Sequence, residues 1–195
     1  DHLVEMMQAF LPWVPERVEG ETSDPEPGDQ TVRGAGKDEE RQLLLSMISP
    51  GARILDVGCG DGELLASLAS ERDVKGVGVD YDTNQVISVL DRGYDIFQED
   101  VDGGLAMIPD DSYDYAILSE TLQVVRRPRV VLKEMLRVAQ EGIVSFPNFG
   151  YWHIRLELGL GGKMPENPSL PYRWHDTPNI HLCTIEDFAN LAAGA

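Results

Sequence analysis

The sequence predicts an α/β fold, in which a doubly wound, mostly parallel sheet is covered by helices on both faces. Strand and helix signals alternate along the chain with short connections, a pattern typical of right-handed crossovers and parallel strands. Ligands of such sheets bind at the carboxyl ends of the strands, so we expect the functional site there. Five apolar, β-branched runs predict the strands, at 53–57, 74–79, 95–97, 113–118 and 143–146.

The predicted helices alternate with these strands. Apolar residues three and four positions apart give each helix a face that can cover the sheet. A last helix is predicted near the end of the chain, where Thr184 has the character of an N-cap and Asp187 stands three residues further on. The apolar spacing that predicts the earlier helices lies within 43–48, 64–68, 86–90 and 130–138.

Composition limits the class of partner. Of the 195 residues, 34 are acidic and 16 are basic, which gives a formal net charge of −18, and 42% are apolar. Such a charge repels phosphate backbones and anionic lipid surfaces, so we expect a small molecule or another protein as partner, and neither nucleic acid nor membrane. Two cysteines, Cys59 and Cys183, form no disulfide framework, which favours a reducing, cytoplasmic location.

Two regions are predicted along the chain. Residues 42–195 form the α/β domain, and residues 1–41 form an N-terminal extension. A stretch rich in Pro, Gly and acidic residues at 18–37 predicts a flexible linker, because it has too little apolar surface to offset its ordering entropy. Ahead of it, apolar residues at helical spacing predict a short amphipathic helix that docks on its own domain or on a partner; they are Leu3, Met6, Met7, Phe10 and Leu11.

The most informative motif follows the first strand, where Asp-Val-Gly-Cys-Gly-Asp-Gly runs from Asp56 to Gly62 and leads directly into a helix. Glycines at alternate positions let the backbone turn tightly and let a ligand lie against it. The spacing differs from the Gly-x-Gly-x-x-Gly of dinucleotide-binding loops, which disfavours a nicotinamide-linked enzyme. Asp56, Asp61 and Glu63 would repel a pyrophosphate but attract a ligand with an ammonium and a sulfonium, such as S-adenosylmethionine (SAM).

Two further acidic residues follow the second and third predicted strands. Asp80 could accept hydrogen bonds from both hydroxyls of a ribose, since a carboxylate offers two acceptor oxygens. The alternative for Asp80 is to cap the following helix, a role that Asp82 or Thr83 could also fill. Asp100 stands where the amino group of an adenine could donate to it, and its alternative is a solvated loop position.

With these motifs the sequence resembles the class I SAM-dependent methyltransferases, and more narrowly the methionine biosynthesis protein MetW family. The first motif is shared by many methyltransferases, whereas the later ones are more specific to MetW-like proteins. The resemblance implies a Rossmann-like class I methyltransferase fold that lacks the last two strands of the usual sheet. It runs from about residue 47 to residue 191 and rests on the segments 53–65, 118–128, 142–150, 170–172 and 176–184.

The resemblance also implies a ligand, a site and a partner. The ligand is SAM or its demethylated product S-adenosylhomocysteine (SAH), with the glycine loop on the methionine portion, Asp80 on the ribose and Asp100 with Val101 on the adenine. The partner is homoserine O-acyltransferase, beside which a SAM-binding MetW-like protein acts in methionine biosynthesis. The predicted cofactor-binding residues are Asp56, Gly58, Cys59, Gly60, Gly62, Asp80, Tyr81, Asp100, Val101 and Ser119.

The alternative function is an active SAM-dependent methyltransferase with a small-molecule acceptor. No catalytic residue is assigned, because the Asn-Pro-Pro-aromatic motif that orients a nitrogen nucleophile is replaced by Ser-Glu-Thr-Leu-Gln at 119–123. Three histidines could supply a base or lie on the surface, and their wide spacing predicts no metal cluster. Three aromatic residues could wall a pocket or pack in loops. These two sets are His153, His175 and His181, and Trp152, Tyr172 and Trp174.

A run of basic residues stands out on this acidic chain. Arg129, Lys133 and Arg137 are spaced by four, which places them on one helix face with Arg126 and Arg127 just before it. The run is either a solvated face or a docking patch for an acidic partner surface.

The end of the chain leaves one edge of the predicted sheet without a neighbour. A class I methyltransferase sheet usually continues with two more strands after the helix that begins near Thr184, and no residues remain for them after Ala195. The fifth predicted strand would then expose unpaired backbone groups. We expect a longer natural chain, or a cover formed by a second subunit in a homo-oligomer or by the N-terminal segment.

Overall fold

A computed structural model of the chain describes residues 3–5, 30–167 and 170–194. The strands are β1 (Leu3–Glu5), β2 (Arg53–Val57), β3 (Lys75–Asp80), β4 (Asp95–Gln98), β5 (Tyr113–Leu118) and β6 (Ala139–Val144). The helices are α1 (Gln30–Met47), α2 (Glu63–Arg72), α3 (Thr83–Asp91), α4 (Pro128–Val138), α5 (Trp152–Gly161) and α6 (Ile185–Ala193).

The strands form one sheet in the order β1-β6-β5-β2-β3-β4, and every neighbouring pair is parallel. The predicted α/β fold with a doubly wound parallel sheet is therefore confirmed. From β2 the chain moves to β3 and β4 on one side and later to β5 and β6 on the other, so the winding direction changes between β2 and β5. Sheets of this kind bind ligands in the crevice outside the carboxyl ends of such strands.

Consecutive residues of the central strands pack into two hydrophobic clusters on opposite faces of the sheet. Ile54 packs with α1 and α2 on what we call the α1 face, whereas Leu55 packs with α4 and α6 on the α4 face. Ile117 and Leu118 divide in the same way. Because successive strand side chains point to opposite faces, burial on both faces explains the continuous apolar runs in the sequence.

Two of the five strands, β2 and β5, have the predicted bounds, and β3 and β4 differ from prediction by a residue. The prediction for β6 was wrong at both ends, since the strand covers Ala139–Val144 and not 143–146. The first residues of β6 carry no apolar β-branched run, but they pair with β5 from Tyr113↔Ala139 onward. Pairing with a neighbouring strand, which periodicity does not register, makes this segment a strand.

The N-terminal region differs from the predicted helix and linker. Leu3–Glu5 is a strand parallel to β6, with Val4 opposite Ile143, so the helix prediction is wrong for these residues. The remainder of the predicted helix, 6–11, lies outside the described residues. Helix α1 begins at Gln30, so the linker prediction is wrong for 30–37, and the predicted boundary at 42 falls inside a helix. The outer edge of β6 is covered by the N-terminal segment, one of the covers expected from the sequence.

The C-terminal region contains one predicted helix and one unpredicted helix. Thr184 is the N-cap of α6, and its capping box with Asp187 is complete: the Asp187 N–H donates to Thr184 Oγ1 over 3.2 Å, and the Thr184 N–H donates to Asp187 Oδ2 over 2.9 Å. Helix α5 was not predicted, because it buries little beyond Ile154 and has no continuous apolar stripe. No helix in the described ranges has the length and apolar character needed to cross a membrane.

Candidate functional site

Strand alternation places three polar side chains on the α1 face at the carboxyl edge of the sheet. Ile54, Ile117 and Ile143 belong to the cluster on that face. Side chains two positions apart along a strand share a face, so the residues two places further on project toward α1 just beyond the apolar cluster. These residues are Asp56, Ser119 and Ser145.

The glycine loop after β2 turns sharply because three of its glycines have positive φ angles, 73° at Gly58, 53° at Gly60 and 78° at Gly62. A Cβ at Gly58 would stand 2.6 Å from Cγ2 of Thr121, and one at Gly62 would stand 3.0 Å from Cγ2 of Val89. At Gly60 a Cβ would meet no atom within 4 Å. Gly58 and Gly62 are therefore required for packing, whereas the backbone at Gly60 faces open space that a ligand can approach.

Asp80 holds this loop against β3. The Gly60 N–H donates to Asp80 Oδ2 over 3.0 Å, and the Asp82 N–H donates to Asp80 Oδ1 over 2.9 Å. The N-cap of α3 is Asp82, whose Oδ1 accepts from the Asn84 N–H over 2.8 Å. The capping alternative for Asp80 is thus excluded, and its carboxylate lies at the edge of the loop with acceptor capacity left for a ribose. Tyr81, beside it, is 73% exposed.

The predicted adenine residues lie at the end of β4. Asp100 is exposed, and its Oδ1 accepts from the Asp102 N–H over 3.0 Å, which caps the short 3-10 helix Val101–Gly103. Val101 packs against the core cluster of the α4 face. The structure thus gives Asp100 a local capping bond, and its contact with an adenine stays a prediction.

Asp56 is the most buried polar side chain of the site, with 1% of its surface exposed. Its Oδ2 has no hydrogen-bond partner among the residues that the structure describes. Burial, together with the charges of Glu40 and Asp80, raises the pKa of Asp56 to about 7. A buried carboxyl without a partner is costly, so this position is suited to a cationic ligand group.

Sequence reasoning missed Glu40, which lies on α1 with 6% of its surface exposed. Its Oε1 accepts from the Ser119 hydroxyl over 2.7 Å and also from the Ser145 hydroxyl. The signal was present in the sequence: Glu40 is four residues before Leu44 and eight before Ile48, so it continues their buried stripe. The sequence prediction placed residue 40 in the N-terminal extension, outside the α/β domain.

Cys59 has a structural role in the loop. Its backbone N–H donates to the Val79 carbonyl over 3.1 Å, as does that of Gly58 over 2.8 Å. Its thiol packs against β3, where a Cβ on Gly78 would stand 2.6 Å from Sγ. Burial and the charges of Asp56 and Asp80 raise the pKa of this thiol, so it is a protonated packing group. Any contact of Cys59 with a ligand remains a prediction.

The histidines and aromatic residues predicted as a base or a pocket wall lie mainly on the surface. His153, His175 and His181 are exposed, and Trp152 and Trp174 are 56% and 72% exposed. Tyr172 is also exposed, at 43%. No cluster of His, Cys, Asp and Glu suited to a metal occurs within 30–167 and 170–194.

One contact ties this C-terminal segment to the site. The backbone N–H groups of Ile180 and His181 both donate to the Gln123 carbonyl, over 2.9 and 3.0 Å. The segment therefore lies beside the loop that follows β5.

The basic run divides into structural and exposed residues. Arg137 donates to Glu134 within α4. It also donates to Asp110 and to the carbonyls of Leu105 and Ile108, so it fastens the loop before β5 to α4. The interpretation of Arg137 as part of a docking patch is therefore wrong. The Arg127 backbone and guanidinium bond to Asp102. Arg129 and Lys133 remain exposed on α4, although Arg129 also donates to the Gly194 carbonyl over 2.8 Å.

A family model described as methionine biosynthesis protein MetW matches residues 38–195. The chain belongs to the MetW family. One member of similar sequence is the bifunctional methionine biosynthesis protein MetXA/MetW of Rhodopirellula baltica, which is 36% identical over 192 residues. The match covers 93% of this MetW-family chain but only 30% of that relative's length.

Solved structures of similar fold include SAM-dependent methyltransferases. One from Thermotoga maritima has a TM-score of 0.62 at 19% identity, and the match covers 84% of this chain and 72% of that one. An N-methyltransferase of Haemonchus contortus, in complex with phosphomonomethylethanolamine and SAH, has a TM-score of 0.55 at 17% identity, with 82% and 37% covered. These similarities confirm the Rossmann-like class I methyltransferase fold.

Proposed function

We propose that this MetW-family chain binds SAM or SAH at the carboxyl edge of its sheet. The observation that carries the proposal is the pairing of an open backbone at Gly60 with the buried, unpartnered Oδ2 of Asp56. The open glycine loop lets a ligand lie close against the protein backbone, and the Asp56 carboxyl suits the cationic group of the ligand.

Different predicted site residues hold different parts of the ligand. Asp56 with the loop of Gly58, Cys59, Gly60 and Gly62 holds the methionine portion. Asp80 and Tyr81 hold the ribose, Asp100 and Val101 the adenine, and Ser119 closes the site from β5. When bound, SAM supplies a methyl group on a sulfonium; this chain's residues bind and orient it.

Calorimetry tests the ligand. SAH and SAM titrated into the purified chain should each give a saturable heat, whereas NAD should give none, because the acidic loop repels a pyrophosphate. Absence of heat with both SAM and SAH, in a sample whose circular dichroism shows an intact fold, would refute the proposal.

The proposed role is that of an accessory protein in methionine biosynthesis beside homoserine O-acyltransferase. The relative from Rhodopirellula baltica carries MetXA and MetW in one name, and we take MetXA to denote the acyltransferase that the family resemblance implies. Fusion of two parts in one chain supports their joint action. The absence of the acceptor-orienting motif at 119–123 favours an accessory role over methyl transfer.

An acyltransferase assay tests the role. Adding the chain should raise the activity of homoserine O-acyltransferase from the same host, while labelled SAM should transfer no methyl group to homoserine, homocysteine or the acyltransferase. Unchanged acyltransferase activity together with stoichiometric, time-dependent labelling of any acceptor would instead favour the second candidate, an active small-molecule methyltransferase. That candidate is supported by the methyltransferase fold of the solved neighbours.

A further inference from the structure

Two buried carboxyl groups from distant parts of the sequence meet at the carboxyl edge of the sheet. Asp56 ends β2 and Glu40 lies on α1, with 1% and 6% of their surfaces exposed. Asp56 is paired with Ile117 across β2 and β5, and Ser119, two residues further along the chain and just after β5, donates to Glu40, so the two carboxyl groups lie at neighbouring strand ends. Among the described residues, no ion pair involves either of them. Buried carboxyls of this kind are normally paired with a cation.

The second carboxyl is held in place by the sheet itself. Leu118 and Val144 are paired across β5 and β6, so Ser119 and Ser145 come directly after adjacent strand ends. Both hydroxyls donate to Oε1 of Glu40. The Ser145 oxygen also accepts from the Glu120 N–H over 3.0 Å, which directs its hydroxyl hydrogen toward Glu40.

An unpartnered atom indicates that the cluster lacks a donor. Oδ2 of Asp56 is buried and accepts no hydrogen bond from the described residues. Among the residues whose side chains the structure describes, the titratable groups that face Asp56 are Glu40 from α1, Asp80 from β3 and Cys59 from the loop, and each of these is an acid. A small cationic donor would satisfy this oxygen and balance the charge of the cluster.

We propose that Glu40 and Asp56 together form a recognition site for a primary ammonium group, with Ser119 and Ser145 as positioning residues for Glu40. The proposal rests on the function proposed above, under which this group is the α-ammonium of SAM or SAH. Nothing in the glycine-loop motif assigns Glu40, which lies thirteen residues before β2.

Ligand binding at this site is coupled to the release of a proton from Asp56. Burial and two neighbouring carboxylates hold the pKa of Asp56 at about 7, so this carboxyl is mostly protonated in mildly acidic solution. An ammonium favours the ionised carboxylate and lowers that pKa. Binding of an amine-bearing ligand should therefore release a proton in acidic solution and release almost none in alkaline solution.

Two probes separate this inference from the proposed function. SAH carries the amino-acid portion, whereas 5′-methylthioadenosine has the same nucleoside without it. The variant Glu40→Gln keeps the shape and removes the charge, and Glu39→Gln is the matched control because Glu39 is its exposed neighbour on the same helix. Affinities are measured by calorimetry at about pH 7, after circular dichroism has confirmed the fold.

Glu40→Gln should weaken SAH binding by about tenfold or more and change methylthioadenosine binding by less than about twofold, while Glu39→Gln changes neither. Equal effects on both probes, or no effect on SAH, would overturn the inference and leave the proposed function standing. Failure of the unaltered chain to bind either probe would overturn both.

A measurement on the unaltered chain keeps the inference testable if Glu40→Gln does not fold. Calorimetry in buffers of different ionisation enthalpy counts the protons released on binding. At about pH 6 SAH should release close to one proton and methylthioadenosine none, and at about pH 8 the release by SAH should vanish. Equal proton release by both ligands at about pH 6 would contradict the ammonium site.

Discussion

Asp80 and Asp82 are two residues apart, but they act on different structures. Asp80 joins the glycine loop to β3, whereas Asp82 caps α3. We expect Asp80→Ala to weaken SAH binding by about 1–3 kcal/mol, because ligand hydroxyls and the Gly60 N–H lose their acceptor. Calorimetry gives the affinity.

The matched variant for this prediction is Asp82→Ala. It should cost about 1 kcal/mol of unfolding free energy through the lost cap and leave the affinity for SAH almost unchanged. Equal losses of affinity in the two variants would show that Asp80 has only a structural role.

Asp56 makes the stability of the protein depend on pH. Its pKa is raised to about 7 in the folded state, so the folded state binds more protons than the unfolded state between about pH 4 and 7. The unfolding free energy should therefore fall as the pH rises through this window. Asp56→Asn, which does not titrate, should flatten that slope in denaturant titrations at several pH values.

Three other carboxyls act in a different window. Asp114, Glu134 and Asp187 have a lowered pKa, chiefly because Arg53, Arg137 and Thr184 respectively bond to them. Their contribution to the unfolding free energy is present above the pKa that they have in the unfolded state. It is lost as the pH falls through their pKa in the folded state, below about pH 4. A slope between about pH 4 and 7 that survives Asp56→Asn would contradict the assignment to Asp56.

At the scale of elements, the capping box fixes where α6 begins. Thr184→Ala removes the acceptor for the Asp187 N–H and should lower the unfolding free energy by about 1 kcal/mol. The loss should also loosen the contact of Phe188 with Phe146, whose ring centroids are 5.0 Å apart. Chemical denaturation measures the change, and Thr184→Ser, which keeps the oxygen, is the control. Equal stability of the two variants would show that the cap is unimportant.

Local sequence patterns predicted the strands that are buried on both faces of the sheet. They failed for segments whose secondary structure depends on pairing with a neighbouring strand or on tertiary burial. The runs in β2 and β5 pack on both sides of the sheet, so their bounds were predictable. The start of β6 and the short β1 are strands because a neighbour pairs with them. Helix α5 has few buried residues, which leaves little periodicity to detect.

The candidate site shows the same limit. The glycine loop and Asp80 could be identified from local motifs, because the spacing itself has chemical meaning. Glu40 continues the buried stripe of Leu44 and Ile48, but its place in the site depends on α1 docking beside strands that come later in the chain, which no local motif shows. The same holds for Ser145, whose role follows from the pairing of β6 with β5.

At the scale of the whole molecule, α4 offers a small basic surface on a chain with a net charge of −18. Arg129 and Lys133 are its exposed members, since Arg137 is engaged by Glu134 and Asp110. We expect Arg129→Glu combined with Lys133→Glu to weaken the proposed complex with homoserine O-acyltransferase, because complementary charge steers and orients association. Surface plasmon resonance would measure the change.

The control for this surface is Lys75→Glu, an exposed residue at the amino end of β3. It should leave the complex unchanged. If the α4 double variant binds the acyltransferase as tightly as the unaltered chain does, this face is simply solvated.

Binding of SAH at the carboxyl edge of the sheet is tested most directly by an NMR titration of the isotope-labelled chain. We predict saturable shifts of the backbone amides at Gly60, Tyr81 and Ser119, which lie beyond the carboxyl ends of β2, β3 and β5. The amides of Gly51 and Glu141, toward the amino ends of β2 and β6, should not move. Absence of any saturable shift, or shifts confined to the amino edge, would contradict the proposed site.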